Sequence, residues 1–335
     1  MIATDWVNPR SRAATRWVLA VLCAADAVIF QLTALASAAG RLPVEAPPPP
    51  IDWLRHTPAA QHALLLVVLW GLWRFAHGAA LWPGWIAAIA DGLLYEVHVA
   101  AFGHIEAEFL IPRACLVGWL VGAWVLRRAV RVEDRLRPEV ADLGGWHGAL
   151  AIFAATYVAA GLSKLLRSGV DWADHRTLDY IIIANLPQGS GVRATFDHFV
   201  LNHHGFAAFL AGLTLLLEVG AILALGRGWQ RAIACAGIFG FHSALLLMVA
   251  LFSPGSQVLA LLFGVPWPRL VPGWRSAEEA PITLDLARSR TALLVTIGAT
   301  AALVALAWGT QIRHVFALGP QARLQPWAPE ADAPR

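Results

Sequence analysis

The sequence predicts an all-α, polytopic integral membrane bundle, and three observations carry that reading. Hydrophobic residues make up 58% of the 335 residues and charged residues only 14%, whereas soluble domains carry about 25% charge. Mean hydropathy is +0.59. The apolar residues gather into stretches of about 20, the length a helix needs to cross the hydrocarbon. This apolar character and a count of only three cysteines exclude disorder, coiled coil and a secreted disulfide scaffold. The isoelectric point near 9.1 does not point to nucleic acid. The net charge is only +3, and the basic residues lie between apolar stretches, as loops on the positive side of a membrane do.

Eight spans are expected. The first, 17–39, follows Arg10, Arg12 and Arg16. Asp26 and Gln31 interrupt it and no small-residue cleavage site ends it, so it reads as a span rather than a secretory signal. The Pro-rich stretch in 41–58 reads as an extended linker. Spans 60–76, 84–102 and 109–126 follow, the second carrying Asp91, Glu96 and His98 and the third Arg113. Residues 127–145 are charged, with Arg127, Arg128, Arg131, Arg135 and Arg137. Span 146–166 contains Lys164, and the long connection 167–204 is rich in Asp, His, Trp and Gly. Connections of that length are functional or carry short interfacial helices. Spans 205–225 and 231–252 hold Glu218 and His242. Residues 256–265 are too short to cross alone and read as a re-entrant piece, an extension of the preceding span or an extra helix. The last span is 290–309, reached through an outer connection that begins at 271. Residues 1–16 form a cytoplasmic N-terminal segment and 311–335 a short tail, with no separate soluble domain expected and no internal repeat of the transporter type.

Counting basic residues orients the bundle. With the N-terminus inside, fourteen fall in inner segments and ten in outer ones, Arg113 lying within a span. An alanine- and arginine-rich composition with almost no lysine implies a GC-rich bacterial source, and hence multi-pass insertion in the inner (plasma) membrane.

Ionisable groups in hydrocarbon are costly and mark partners, pathways or sites. Here they are Asp26, Asp91, Glu96, His98, Arg113, Lys164, Glu218 and His242. Glu96, His98, Arg113 and Lys164 fall in the outer half of the bundle, with His104 in the following turn. They read as a polar cavity open outward or, residue by residue, as cations snorkelling to the interface with acids paired to them. Lys164 stands apart as the only lysine among 25 basic residues. Arginine cannot usefully lose its proton, whereas a desolvated lysine can act as a base. Tyr157, Gly161 and Lys164 are spaced i, i+4, i+7 and share one helix face, on which Gly161 admits a close neighbour. Glu218 and His242, on consecutive spans, are expected to meet as a buried pair that fixes helix packing. His203, His204, Asp197 and His198 cluster in sequence, but no spacing matches a metal motif such as H-E-x-x-H, so no metal is expected.

Residues 157–178 (YVAAGLSKLLRSGVDWADHRTL) read Y-x₃-G-x₂-K followed by Trp. This pattern resembles the vitamin K-dependent gamma-carboxylase-like membrane family, also called the horizontally transferred transmembrane (HTTM) domain. Glu218 and the Phe241-His242 pair resemble that family's later acidic and Phe-His positions. His104 resembles its histidine after an earlier span, although the family's asparagines beside it are absent. The likeness covers residues 17–270. It implies lyase or oxidoreductase chemistry on a reduced quinone of the vitamin K or menaquinol type. Lys164 would be the base and His104 an acid/base or anion-stabilising group, at an extracytoplasmic-facing cavity. Tyr157, Gly161, Trp172, Arg113, Glu96 and His98 would line the substrate, with Glu218 and His242 supporting them. No counterpart of the large domain with which the animal carboxylase recruits proteins is expected here, which favours a small peptide or a lipid over a protein as the second substrate. Two other classes stay open beside the enzyme: a membrane partner or maturation protein for a secreted peptide or redox protein, and a small-molecule transporter.

Overall fold

A computed structural model of the chain describes residues 8–40, 49–78, 80–102, 107–129, 137–184, 191–226, 228–249 and 253–271. Every described element is helical: α1 (Pro9–Ala38), α2 (Pro49–Arg55), α3 (Pro58–Ala76), α4 (Leu81–Phe102), α5 (Ala107–Ala129), α6 (Arg137–Ser168), α7 (His175–Ala184), α8 (Val192–Asn202), α9 (His204–Gly220), α10 (Gly228–Val249), α11 (Pro254–Gly264) and α12 (Trp267–Leu270), with 3₁₀ turns at Gly169–Ala173 and Ala221–Leu225. Six of these stretches are long and apolar enough to cross a membrane, and the chain is a multi-pass membrane protein. α4, at 22 residues, has the length to cross, but Asp91, Glu96 and His98 leave it outside that set. The expected span 290–309 lies outside the described residues.

Helix ends follow local chemistry. α1 begins eight residues before the expected start because Asn8 caps it. The Asn8 side chain accepts from the Ser11 backbone N–H at 2.8 Å, and the Asn8 N–H donates to Ser11 Oγ at 2.9 Å, with Pro9 at the first turn. α6 starts nine residues earlier than expected, so its first turns carry the charged residues Glu139 and Asp142. The long connection 167–204 holds short helices, α7 and α8. Residues 256–264 belong to a separate helix, α11, which ends at Gly264 and whose Phe263, Leu259 and Ser256 are buried in the bundle.

The core runs along the bundle through Trp119, Phe30, Phe75, Phe153 and Phe263, all fully buried. Among the described residues, α5 packs closely on α6. Gly118 and Gly122 face Gly148 and Gly144, and a methyl group on any of the four would strike the opposing backbone carbonyl or side chain. In a bilayer, where lipid is as apolar as leucine, such small-residue contacts let helices associate by van der Waals packing.

One end of the bundle gathers arginines. Arg16 of α1 pairs with Asp142 of α6, and its guanidinium lies beside Gly78, just past α3. Arg231, at the start of α10, stacks 5.0 Å from the Trp146 ring and donates to the Ala224 carbonyl at 3.0 Å. At the opposite end, α2 packs through Leu54 on Ala34 of α1 and Val97 of α4. α7 and α8 cover the start of α9 and the end of α10 through Ile182, Val200, Ala207 and Met248.

Candidate functional site

Lys164 sits near the C-terminal end of α6. Leu162 and Leu166, on the opposite helix face, are exposed at 46% and 86%, so the helix turns its aliphatic side outward and its lysine inward. The Lys164 ammonium forms an ion pair with Glu218 Oε1 of α9. The glutamate is nearly enclosed and the lysine side chain 22% exposed. Glu218 Oε2 is buried without a hydrogen-bond partner among the described residues. The 3₁₀ turn after α6 folds back so that the Trp172 ring lies 4.9 Å from Lys164 Nζ, a cation–π arrangement. Gly161 makes the pair reachable: a Cβ there would lie 3.0 Å from Glu218 Cβ and 2.9 Å from Val219 Cγ2, so any larger residue would push α9 away.

Two turns before Lys164, Tyr157 continues the same face. Its hydroxyl lies 2.6 Å from His242 Nε2 of α10. With the proton on Nδ1, the hydroxyl donates to Nε2. The periodicity thus holds in three dimensions: Tyr157, Gly161 and Lys164 each meet a neighbouring helix. The expected partner of Glu218 is corrected. Glu218 pairs with Lys164 and His242 with Tyr157, and no hydrogen bond joins Glu218 to His242. The reason is electrostatic: a buried carboxylate gains more from a cation than from an imidazole.

Protein-family models, curated proteins and solved structures were compared with the chain, and none matches it. The resemblance to the carboxylase-like family therefore rests on the residues quoted above.

A second polar cluster lies elsewhere, among α1, α4 and α5. Arg113 Nε donates to Asp91 Oδ2 at 2.8 Å, and its Nη2 to the Asp91 carbonyl at 3.2 Å. Its guanidinium carbon lies 4.1 Å from the Tyr95 ring centroid and 4.9 Å from that of Phe30. His98 is buried beside them, 5.0 Å from the Phe30 ring. The expectation of one cavity lined by Lys164, Arg113, Glu96 and His98 is corrected accordingly. Arg113 and His98 form their own buried knot around Asp91, and Glu96 lies on an exposed face of α4. Helical phase explains the split: Asp91, Tyr95 and His98 share one face (i, i+4, i+7), which leaves Glu96 pointing away. His104 lies outside the described residues.

The histidines of the connection 167–204 are also arranged differently from the expectation. Asp197 is fully buried and faces Arg193 at 3.6 Å. His203 Nδ1 approaches the Phe199 carbonyl at 2.7 Å, and His198 is exposed. The four residues that are close in sequence do not converge.

Proposed function

We propose that the chain is an integral membrane enzyme in which the Lys164–Glu218 pair takes a proton from a membrane-soluble substrate. One observation carries this reading: the only lysine in the sequence is held against a nearly enclosed carboxylate, under an indole ring. Arginine binds carboxylates better and never releases its proton. Lysine at that place pairs with the carboxylate and still carries a proton that can be removed. The Trp172 face and the apolar walls suit a flat, hydrophobic ring.

The resemblance at 157–178 supports a reduced quinone of the vitamin K or menaquinol type as that substrate. For Lys164 to act as base, the ammonium of the resting pair first gives its proton to water at its partly exposed end; the amine then accepts a hydroxyl proton of the quinol, and Glu218 holds the ammonium that re-forms. The quinol anion then reacts with molecular oxygen, giving quinone epoxide and water overall. Apolar surroundings keep water from the reactive oxygen species. A carboxylation-type step on a peptide or protein is the natural second half, with His104 as its acid/base group. The concentration of Arg16, Arg74, Arg127, Arg128 and Arg231 toward one end of the bundle supports a cytoplasmic N-terminus in a bacterial inner membrane, with α7 and α8 outside.

The test uses purified protein in lipid with reduced menaquinone or vitamin K, oxygen and bicarbonate, reading quinone epoxide by mass spectrometry. Wild type is expected to form epoxide. Lys164→Arg, which keeps the ion pair but not a removable proton, is expected to lose about 10²–10⁴-fold in rate. Equal rates for wild type and Lys164→Arg would overturn the base assignment. Folded wild type that forms no epoxide with either quinol would favour the maturation-partner reading over the enzyme.

A further inference from the structure

His175 is the first residue of α7 and Asp179 lies one turn later, so both stand on one face of that helix. α7 lies along α9, burying Ile182 and Leu178 among Ala207 and Leu210. This packing brings His204, the first residue of α9, against the same face. The His175 and His204 ring centroids are 4.4 Å apart. Asp179 Oδ2 is 4.0 Å from His175 Nε2 and 3.7 Å from His204 Nδ1. One donor atom from each of the three residues lies within 4.8 Å of the other two. Asp179 Oδ1 is buried and has no hydrogen-bond partner among the described residues.

These separations exceed a direct hydrogen bond. They approach the spacing of donors that share one cation, since atoms bound at about 2.0–2.2 Å to a tetrahedral ion stand about 3.5 Å apart. A further carboxylate completes the arrangement. Asp174 meets His175 Nδ1, which fixes the ring with Nε2 turned toward Asp179, as the outer carboxylate of a carboxylate–histidine–metal triad does. Arg176 stands on the far side, its Nε 3.8 Å from Asp174 Oδ2.

We propose that His175, Asp179 and His204 bind a divalent first-row transition ion, Zn²⁺ fitting the donor set best, with Asp174 orienting His175. Two imidazole nitrogens and one carboxylate oxygen supply three positions and leave a fourth for water or a ligand. The His204 side chain is 63% exposed, so the ion enters from the aqueous side. The site is separate from the Lys164 pair: Glu218 lies fourteen residues beyond His204, about 21 Å along α9. The two are nonetheless joined by the backbone. The turn that carries Trp172 over Lys164 runs directly into Asp174 and His175, and the ion ties that connection to α9. Sequence spacing hides the site because its donors come from two helices, with α8 between them in the chain.

The experiment takes the full chain, purified without a polyhistidine tag in lipid nanodiscs, stripped with chelator and titrated with Co²⁺ as an optical probe, then with Zn²⁺ in competition. Wild type is expected to bind one ion per chain. Asp179→Asn and His204→Asn are each expected to weaken binding at least about tenfold, and Asp174→Asn by about 10–100-fold. Lys164→Arg, outside the site, is expected to bind as wild type does. Each variant is checked for a wild-type elution profile and helical circular dichroism. Wild-type binding no tighter than that of folded His175→Asn/Asp179→Asn/His204→Asn would overturn the proposal and leave a histidine–aspartate ion pair. Binding that survives both single ligand substitutions would equally refute it.

Discussion

At the scale of single residues, the decisive contacts are between groups that cannot be left alone. Glu218 is nearly enclosed, and the lysine above it is its only cation partner among the described residues. Removing one member of a buried ion pair costs about 3–5 kcal/mol, because the other charge is stranded. Lys164→Met is therefore expected to lower unfolding stability by that order, whereas Lys164→Met/Glu218→Leu recovers most of the loss. Denaturant titration in detergent checks both, and a double variant no more stable than the single one would contradict the pairing. Lys164→Arg should stay close to wild type in the same assay, which separates its effect on chemistry from any effect on folding. The sequence announced Lys164 by its rarity and Glu218 by its place in an apolar run. It could not announce that they meet, because the contact depends on how α9 is rotated. That rotation is set by Gly161, which lets the α9 backbone come within 3.0 Å of where a Cβ would stand.

Among the elements, hydrophobic runs located the long helices well, while their ends and the short helices came from other forces. α1 and α6 reach past their apolar stretches because capping and an ion pair at one end, Asn8 with Ser11 and Arg16 with Asp142, extend the helices into the polar region. Short helices in 167–204 and an extra helix at 256–265 were among the readings the sequence offered, but their bounds were not, since α7, α8 and α11 are stabilised by packing on their neighbours rather than by length. The histidines between 175 and 204 show the same limit: nearness in sequence suggested Asp197 and His198 for His204, and α7 supplied His175 and Asp179 instead. The α5–α6 contact yields a prediction at this scale. Gly148→Leu is expected to destabilise the bundle by about 1–3 kcal/mol through overpacking, whereas Gly92→Leu, at a position with no atoms near its Cβ, should be close to neutral. Thermal unfolding followed by circular dichroism would distinguish them, and equal midpoints would contradict the close approach.

For the whole molecule, the arginine-bearing end and the end covered by α2, α7 and α8 give the bundle a polarity that single-site labelling can read. Cys23, Cys115 and Cys235 are all buried, so they form a quiet background for a membrane-impermeant maleimide. Arg176→Cys is expected to react in intact spheroplasts and Arg128→Cys only after the membrane is opened. The reverse pattern would invert the proposed orientation. The knot around Asp91 has a consequence for biogenesis. Asp91 stands at the middle of α4, and an aspartate at the centre of an inserting helix costs about 2.5–3.5 kcal/mol. Its partner Arg113 arrives 22 residues later in synthesis. α4 therefore gains its counter-charge only when α5 has emerged, so the two enter the bilayer as a helical hairpin rather than one after the other.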